Sequence, residues 1–456
     1  MKARTGPASF TAEFADVRIV VLGGGFAAVN AARHLERLLR PDEAELTLIS
    51  RENFSLFTPM LPEVSSGALD ARHIVTPIRA QLQRTQFILA DVTAVELEDS
   101  EVAFTHILTG MTERLRFDQV IVGIGAATST FGLPGVAERV FALKTLEDAS
   151  ILRNRLMWLL ELADSVSAEE RKQLLTLVVV GGGFTGVETT GELVELFHNV
   201  ARYYPNVHRD DVSIVLVEGA QTLLRGLPAR MGEYATRDLR RRGVKVLTGD
   251  GVRRADESGL ELESGTRIAT RTIIWSAGIK PAILPGTESL PRAKNGAILV
   301  LPDLSVAGHP NVWACGDCAA IPNGSGGFYP PTAQHAIREA PVLAANLIAR
   351  LHQRPARLFA YTSLGMMASL GARKAVAQLP GDRVLTGFLA WFLWRTYYLL
   401  RLPGLDRKLR VAFDWTLELL FPRDISEMRL YTRRAQSSAA ADAGLKPRDE
   451  NLDLWS

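Results

Sequence analysis

VRIVVLGGGFAAVNAARHL (residues 17–35) and LVVVGGGFTGVETTGEL (residues 177–193) are two versions of one stretch. Each reads as an apolar, β-branched run, a glycine-rich turn and then a helix pattern. Gly23, Gly24 and Gly25 stand in the first turn, and Gly181, Gly182, Gly183 and then Gly186 in the second. With a strand before and a helix after, this is a dinucleotide-binding fingerprint. The first glycine permits the tight turn, and the second lets backbone approach a pyrophosphate. The helix N-terminus beyond offers free N–H groups and a positive dipole end to the phosphates. In the first copy Ala28 replaces the third glycine. One copy would be weak evidence. Two predict an α/β protein with two Rossmann-like dinucleotide-binding domains, holding two adenine dinucleotides face to face.

Outward from the fingerprints, the strands end in telling residues. Residues 45–49 lead into Ser50, where an acid usually holds an adenosine ribose, about 20 residues after the glycines. Ser50 can bond a ribose hydroxyl without charge, or be only a strand-end turn residue, and Arg51 can pack on the adenine. After the second fingerprint VSIVLVEG ends in Glu218. A carboxylate there accepts from both ribose hydroxyls and repels a 2′-phosphate, which argues for NADH over NADPH; the plainer reading is an ordinary strand-end acid. Two further buried strands end in small-residue turns, at residues 123–126 and at Ala277–Gly278. In ACGDCA, Asp317 follows Gly316 and is placed to accept from a sugar-alcohol hydroxyl. Pro330 and Pro331 then start a helix whose N-terminus can point at a flavin ring.

Composition narrows the class. At 456 residues, two or three domains are expected at ~150 residues each. A net charge of +2, from 52 basic and 50 acidic side chains, gives no case for nucleic acid. Cys315 and Cys318 are the only cysteines, so no disulfide framework is expected, a reducing compartment fits, and a zinc site would lack ligands. Their C-x-x-C straddles the Gly–Asp needed by a flavin site, so a redox disulfide is not expected. No apolar h-region precedes the first strand, and no secretory signal is expected. No metal site is expected.

The chain resembles the type II NADH dehydrogenases, single-subunit flavoprotein NADH:quinone oxidoreductases, over most of residues 17–430. The resemblance rests on both fingerprints and on LPGVAE (residues 133–138), LKTLEDA (143–149), TGVE (185–188), WSAG (275–278), ACGDCA (314–319), PPTAQ (330–334) and the aromatic C-terminal run. It implies FAD in the first site, with Gly23, Gly24, Gly25, Phe26, Ala27, Ser50, Arg51, Val92, Gly125, Asp317 and Ala333. It implies NADH in the second, with Gly181, Gly183, Phe184, Thr185, Gly186, Glu218, Ala277 and Gly278. Hydride would pass from NADH to the flavin, and two electrons to a quinone, without proton pumping. Glu188 would sit by the nicotinamide as a holder or proton relay, or be only a carboxylate favoured by the helix N-terminus. Gln334 would bond the flavin or a quinone carbonyl, or be only a helix-start residue. Arg338 stands where the family has a second glutamine, and Ser50 where it has an acid. His335 reads as a packed helix residue.

The implied domain plan is a lead-in (1–15), a first FAD-binding part (16–140), an NADH-binding domain (141–300), a second FAD-binding part (301–380), C-terminal membrane-surface helices (381–434) and a disordered tail (435–456). Residues 385–421 are rich in aromatics, but Arg395, Arg401 and Pro403–Gly404 interrupt them. A spanning helix needs ~20 predominantly apolar residues. Two amphipathic helices lying in the interface are expected instead, with Trp391, Trp394, Tyr397, Tyr398 and Trp415 at headgroup depth and Arg395, Arg401, Arg407, Lys408 and Arg410 toward anionic lipid. The chain would then be peripheral on the cytoplasmic face of the cell membrane, and deletion from about Leu385 would release an intact core. The competing readings are that these helices pack on the core or on a second copy in a homodimer. A soluble NADH-dependent flavoprotein reductase feeding a carrier protein is the alternative function, and a slow flavin-binding sensor a third.

Overall fold

The computed structural model describes residues 17–381 and 383–426; the expected lead-in and tail lie outside the described residues. Both fingerprints fold as strand, turn and helix. Strand Arg18–Leu22 leads to helix α1 (Phe26–Leu38), and strand Thr176–Val180 to helix α2 (Phe184–Val200). Ile19 to Leu22 and Leu177 to Val180 are almost wholly buried. Strands of a parallel sheet are covered on both faces, which is why these runs are continuous rather than alternating. Gly23 and Gly181 turn the chain at φ +110° and +109°. A Cβ on Gly23 would lie 2.4 Å from the carbonyl oxygen of Gly123, and one on Gly181 2.7 Å from the Cα of Ala277. Both the backbone conformation and the contact exclude a side chain there.

The chain divides into two compact units. The first comprises the chain up to Leu56, Val75–Ala127 and Ile279–Thr362. Its eight-stranded sheet runs in the order Ser305–Val306, His309–Ala314, Gln119–Val122, Arg18–Leu22, Glu45–Ser50, Gln86–Glu96, Glu101–His106 and Thr112–Arg116. From His309–Ala314 to Gln86–Glu96 it is parallel. Helix α3 (Ala333–Leu351) packs along α1.

The second unit comprises Phe57–Ile74, Thr128–Gly278 and the chain from Ser363 on. Its parallel sheet has five strands, in the order Val140–Ala142, Thr272–Trp275, Thr176–Val180, Ser213–Glu218 and Lys245–Thr248. An antiparallel sheet of Met367–Gly371, Lys374–Leu379 and Arg383–Gly387 leads into helices α4 (Phe388–Arg401) and α5 (Leu405–Leu420).

These units divide the chain differently from the domain plan read from sequence. Residues 57–74, 128–140 and 363–380 go with the second unit, and residues 279–300 with the first. Packing that sequence order does not reveal decides this. The short helix Leu61–Ser65 packs on α2 and on helix Leu146–Ser165. A Cβ on Gly191 of α2 would lie 2.3 Å from the Leu370 carbonyl oxygen, so helix and strand backbones touch.

The C-terminal run forms two helices, broken at Gly387 and Gly404, both at positive φ. Among the described residues no helix is long and apolar enough to cross a membrane. Phe388, Leu389, Phe392 and Leu400 of α4, and Leu405, Leu409, Phe413, Leu417, Leu419 and Leu420 of α5, are exposed. The expectation for the tryptophans is corrected. Trp394 and Trp415 are 1% and 4% exposed, their rings 6.4 Å apart, because their indole N–H groups reach buried carboxyls. Arg395 likewise lies inward, stacked on Trp391 and Trp415, rather than toward lipid.

Candidate active site

In the first unit Gly25 is the N-cap of α1 at φ −82° and ψ −173°, with no side-chain cap and no acid in the first turn among the described residues. A Cβ on Gly25 would meet no protein atom within 4 Å. The space beside Gly25 at the start of α1 is thus open, the shape an anion's approach requires. Ala28 serves as third glycine because Gly123 faces it: a Cβ on Gly123 would stand 3.0 Å from that of Ala28. Ser50 is buried against Gly24, and its hydroxyl accepts from the Glu52 N–H at 3.3 Å. Arg51 makes a bidentate pair with Asp91 (2.8 and 2.9 Å) at the surface. Val92 is half-buried on strand Gln86–Glu96, and Gly125 turns at φ +72° into open space.

The turn Gly316–Cys318 brings Asp317 to α1, since a Cβ on Gly316 would stand 2.9 Å from that of Ala27. Glu339 of α3, which sequence reading passed over, accepts the Gly316 N–H at 2.7 Å. Burial pushes its carboxyl up to about 7. Burial also raises both thiols, that of Cys318 to about 11, which disfavours the nucleophilic thiolate. Ala333 opens α3, whose N-cap Thr332 bonds the buried His335 at 2.7 Å. Tyr361 donates to Gln334 Oε1 at 3.2 Å, and the Arg338 guanidinium lies 4.3 Å from the Tyr361 ring centre while donating to the Gln334 carbonyl. Gln334 and Arg338 therefore sit together, linked through Tyr361.

In the second unit Gly183 caps α2 as Gly25 caps α1, again with no atom within 4 Å of a Cβ and no side-chain cap among the described residues. Phe184, Thr185 and Gly186 form the first turn. Here the third glycine is required, because a Cβ on Gly186 would lie 1.7 Å from the Gly181 carbonyl oxygen. Glu218 is held by two backbone donors, Gly182 N–H at 2.5 Å and Ala220 N–H at 2.7 Å. Its carboxylate is thereby aimed beside the glycine turn. Ala277 packs on Gly181, and the Gly278 carbonyl accepts from Ser129 N–H at 3.0 Å.

Glu188, also on α2, is 7% exposed. Its Oε1 accepts from Ser369 N–H at 3.0 Å and from the Trp394 indole at 3.1 Å. Burial raises its carboxyl to about 8, against those two bonds. This corrects the reading of Glu188 as a carboxylate merely favoured by a helix N-terminus: desolvation outweighs that field. Glu192 acts on it, and Glu63, which feels Glu188, Glu192 and Glu418, lies in the same buried cluster; sequence reading missed Glu63, Glu192 and Glu418. Glu192 had a signal, lying one turn after Glu188 on the same helix.

The Glu188 shift sets an expected pH dependence of stability. Between its ordinary value of 4.5 and about 8 the folded chain keeps a proton that the unfolded chain releases. Stability therefore falls as pH rises through that window and levels off above it. Glu188→Gln keeps an acceptor oxygen but loses the titration. It should melt higher than the wild type at pH 8, by on the order of a few kcal/mol, with the margin closing toward pH 4.5. Parallel melting curves across that range check this; a margin independent of pH contradicts it.

Residues 17–340 match the family model described as pyridine nucleotide-disulphide oxidoreductase, and residues 364–424 match the NDH2 C-terminal domain. The chain belongs to the type II NADH:quinone oxidoreductases. It is 33% identical over 424 residues to the type II NADH:quinone oxidoreductase Ndh of Mycobacterium tuberculosis, covering 89% of each chain. It is 33% identical to a probable NADH dehydrogenase of Dictyostelium discoideum, over 90% of this chain and 91% of that one. The structure of NDH2 from Plasmodium falciparum in complex with NADH superimposes with a TM-score of 0.84 at 23% identity, over 90% of this chain and 99% of that one. That last likeness speaks for the fold alone. As a type II oxidoreductase the chain combines the two-fingerprint fold with the helical C-terminal domain of α4 and α5.

Proposed function

We infer that the chain holds FAD at the first cradle and NADH at the second, and reduces a membrane quinone from the bilayer surface. The observation that carries this reading is the pair of glycine-capped helix N-termini, each without a side-chain cap among the described residues and each open where a Cβ would stand. When bound, the flavin accepts a hydride and returns two electrons. The residues of the chain bind and orient. Backbone N–H groups at Gly25, Phe26 and Ala27 hold one pyrophosphate, and those at Gly183, Phe184 and Thr185 the other. Ser50 and Glu218 take the adenosine riboses, and Asp317 the sugar alcohol. The start of α3, Ala333 with Gln334, takes the flavin end. Gln334 and Arg338 offer an amide and a cation to a quinone carbonyl. Glu188 carries a proton at neutral pH and serves as the relay.

The exposed leucines and phenylalanines of α4 and α5 support a peripheral membrane seat on the side where NADH is found, the cytoplasmic face. A second copy of the chain is the competing occupant of that face. NADH oxidation by the flavin-loaded protein, compared with ubiquinone, menaquinone and a ferredoxin-type carrier, tests the function. Rapid reduction of the protein carrier with none of either quinone would favour the soluble reductase.

Glu218 makes a specificity prediction. A 2′-phosphate beside its carboxylate leaves two anions facing one another. The kcat/KM for NADH should exceed that for NADPH by about ten- to a hundredfold, on the order of 1–3 kcal/mol. Glu218→Gln should narrow the gap; equal values in the wild type would refute the role.

A further inference from the structure

Hydride and electron transfer give Glu339 no task, yet this acid is built into the first cradle. It lies on α3 and is 3% exposed. Its Oε2 accepts the Gly316 N–H at 2.7 Å. Gly316 turns at φ +74°, and a Cβ there would stand 2.9 Å from that of Ala27 and 3.8 Å from that of Ala336. The turn is thus wedged between the start of α1 and the flank of α3, and Glu339 fastens it from the α3 side. Asp317, the next residue, is the one placed to hold a sugar alcohol. All of these residues belong to the first unit.

A glutamine at 339 would accept the same bond. A carboxyl adds a charge where burial disfavours it. The Asp317 charge disfavours it further and the Gly316 bond favours it; burial prevails, and the carboxyl stands at about 7. Both forms of Glu339 are therefore populated at neutral pH. Its neighbours do not compete for the proton. The thiols of Cys315 and Cys318 are raised by burial and stay neutral. On α3 itself, burial and Arg338 hold His335 below its ordinary range, so it stays neutral too. The later turns of α1 carry Arg33, His34, Glu36 and Arg37. Among the described residues, Asp317 is the charge that acts on Glu339.

We propose that Glu339 is a proton-linked positioning residue for FAD: it holds the Gly316–Asp317 turn against α1 and takes up a proton when a pyrophosphate binds at the start of that helix. The proposal rests on the reading of the first cradle as the FAD site. A pyrophosphate brings negative charge to the helix start that Gly316 adjoins, and it displaces water from the cradle. Both changes disfavour the Glu339 carboxylate, so its proton is held more tightly with FAD in place. By linkage the protonated chain then holds FAD more tightly, to the same extent. Solvent supplies the proton, and no bond of the flavin changes. Affinity for FAD is greatest below the value of about 7 in the flavin-free chain, and it falls as pH rises from there toward the higher value of the loaded chain.

The test uses the full chain stripped of flavin, with FAD itself as the probe and quenching of its fluorescence as the readout. The wild-type Kd should rise at least about fivefold from about pH 6 to about pH 8.5, as a shift of one pKa unit in Glu339 gives. In weakly buffered solution at about pH 7.5, an indicator dye should report uptake of about half a proton per FAD bound. Glu339→Gln keeps an acceptor for Gly316 but has no proton to gain. Its Kd at about pH 6 should lie within about threefold of the wild type and change less than about twofold over the range, with no proton uptake. Glu339→Leu leaves the buried Gly316 N–H without that acceptor and should weaken FAD at least about tenfold at every pH. A Glu339→Gln chain that keeps the wild-type pH dependence would assign the proton to another group and overturn the proposal. Undiminished FAD affinity in Glu339→Leu would overturn the brace. The wild-type dye measurement needs no variant to fold, and FAD binding without proton uptake would overturn the proposal by itself. A wild type that takes up no FAD at all would instead reject the first cradle as the FAD site.

Discussion

Gly25→Val yields a folded chain that binds no FAD. Gly25 sits at φ −82° and ψ −173°, extended backbone open to any residue, and its Cβ direction meets no protein atom within 4 Å. Valine therefore adds neither strain nor a clash to the protein. Its methyl groups fill the space through which a pyrophosphate must reach the N–H groups of α1. Purified variant should keep the circular dichroism of the flavin-free wild type and show no flavin absorption after incubation with FAD. NADH-dependent turnover should drop by at least about 10²-fold, since the cofactor carries the chemistry. Gly23→Val is the contrast, because φ +110° and the 2.4 Å approach to Gly123 make it a folding defect. Stoichiometric flavin in purified Gly25→Val would end the assignment of this cradle.

The combined change Phe392→Glu, Phe413→Glu and Leu420→Glu should release the chain from membranes and leave its core intact. These side chains are 59%, 62% and 72% exposed. Each large apolar side chain moved from water into an apolar layer contributes about 1.5–3 kcal/mol at full burial. With partial insertion, the three together should weaken partition into anionic vesicles by about 10²-fold or more. Exposed basic residues near the helices contribute about 1 kcal/mol each at most, so high salt should loosen the wild type without releasing it. Ferricyanide reduction by the variant should be unchanged, while reduction of a long-tailed quinone in vesicles collapses. Unchanged vesicle binding, together with loss of a dimer by light scattering, would assign the face to a second copy. Truncation cannot make this distinction. Leu385 lies in the strand Arg383–Gly387, and removing the helices takes away the indoles on Glu63 and Glu188 and the Arg423 that pairs Glu192. The core of a truncated chain should fail to fold, contrary to the simplest expectation from sequence.

The legible part of this protein was local. An apolar β-branched run, a glycine triplet and a helix period are short-range constraints on backbone, and they specified both strand–turn–helix cradles. Glu218 at the end of its strand and Asp317 after Gly316 were legible for the same reason, since position at the end of an element is written in the element; the helix expected to start at Pro330 and Pro331 opens instead at Ala333, with Thr332 as its N-cap. The break at Pro403–Gly404 was equally plain. Tertiary structure alone decided burial and partnership. In sequence, Trp394 and Trp415 look like interfacial aromatics on amphipathic helices; packing turns both inward onto carboxyls. Glu63 looks like one more acid in LPEV, and it lies 355 positions from Glu418 (418 − 63), near it only after folding. An acid is stable in water at either place, and no short-range rule marks it for burial. Its proton affinity is set by which charges and how much water surround it, and those are properties of the packed chain.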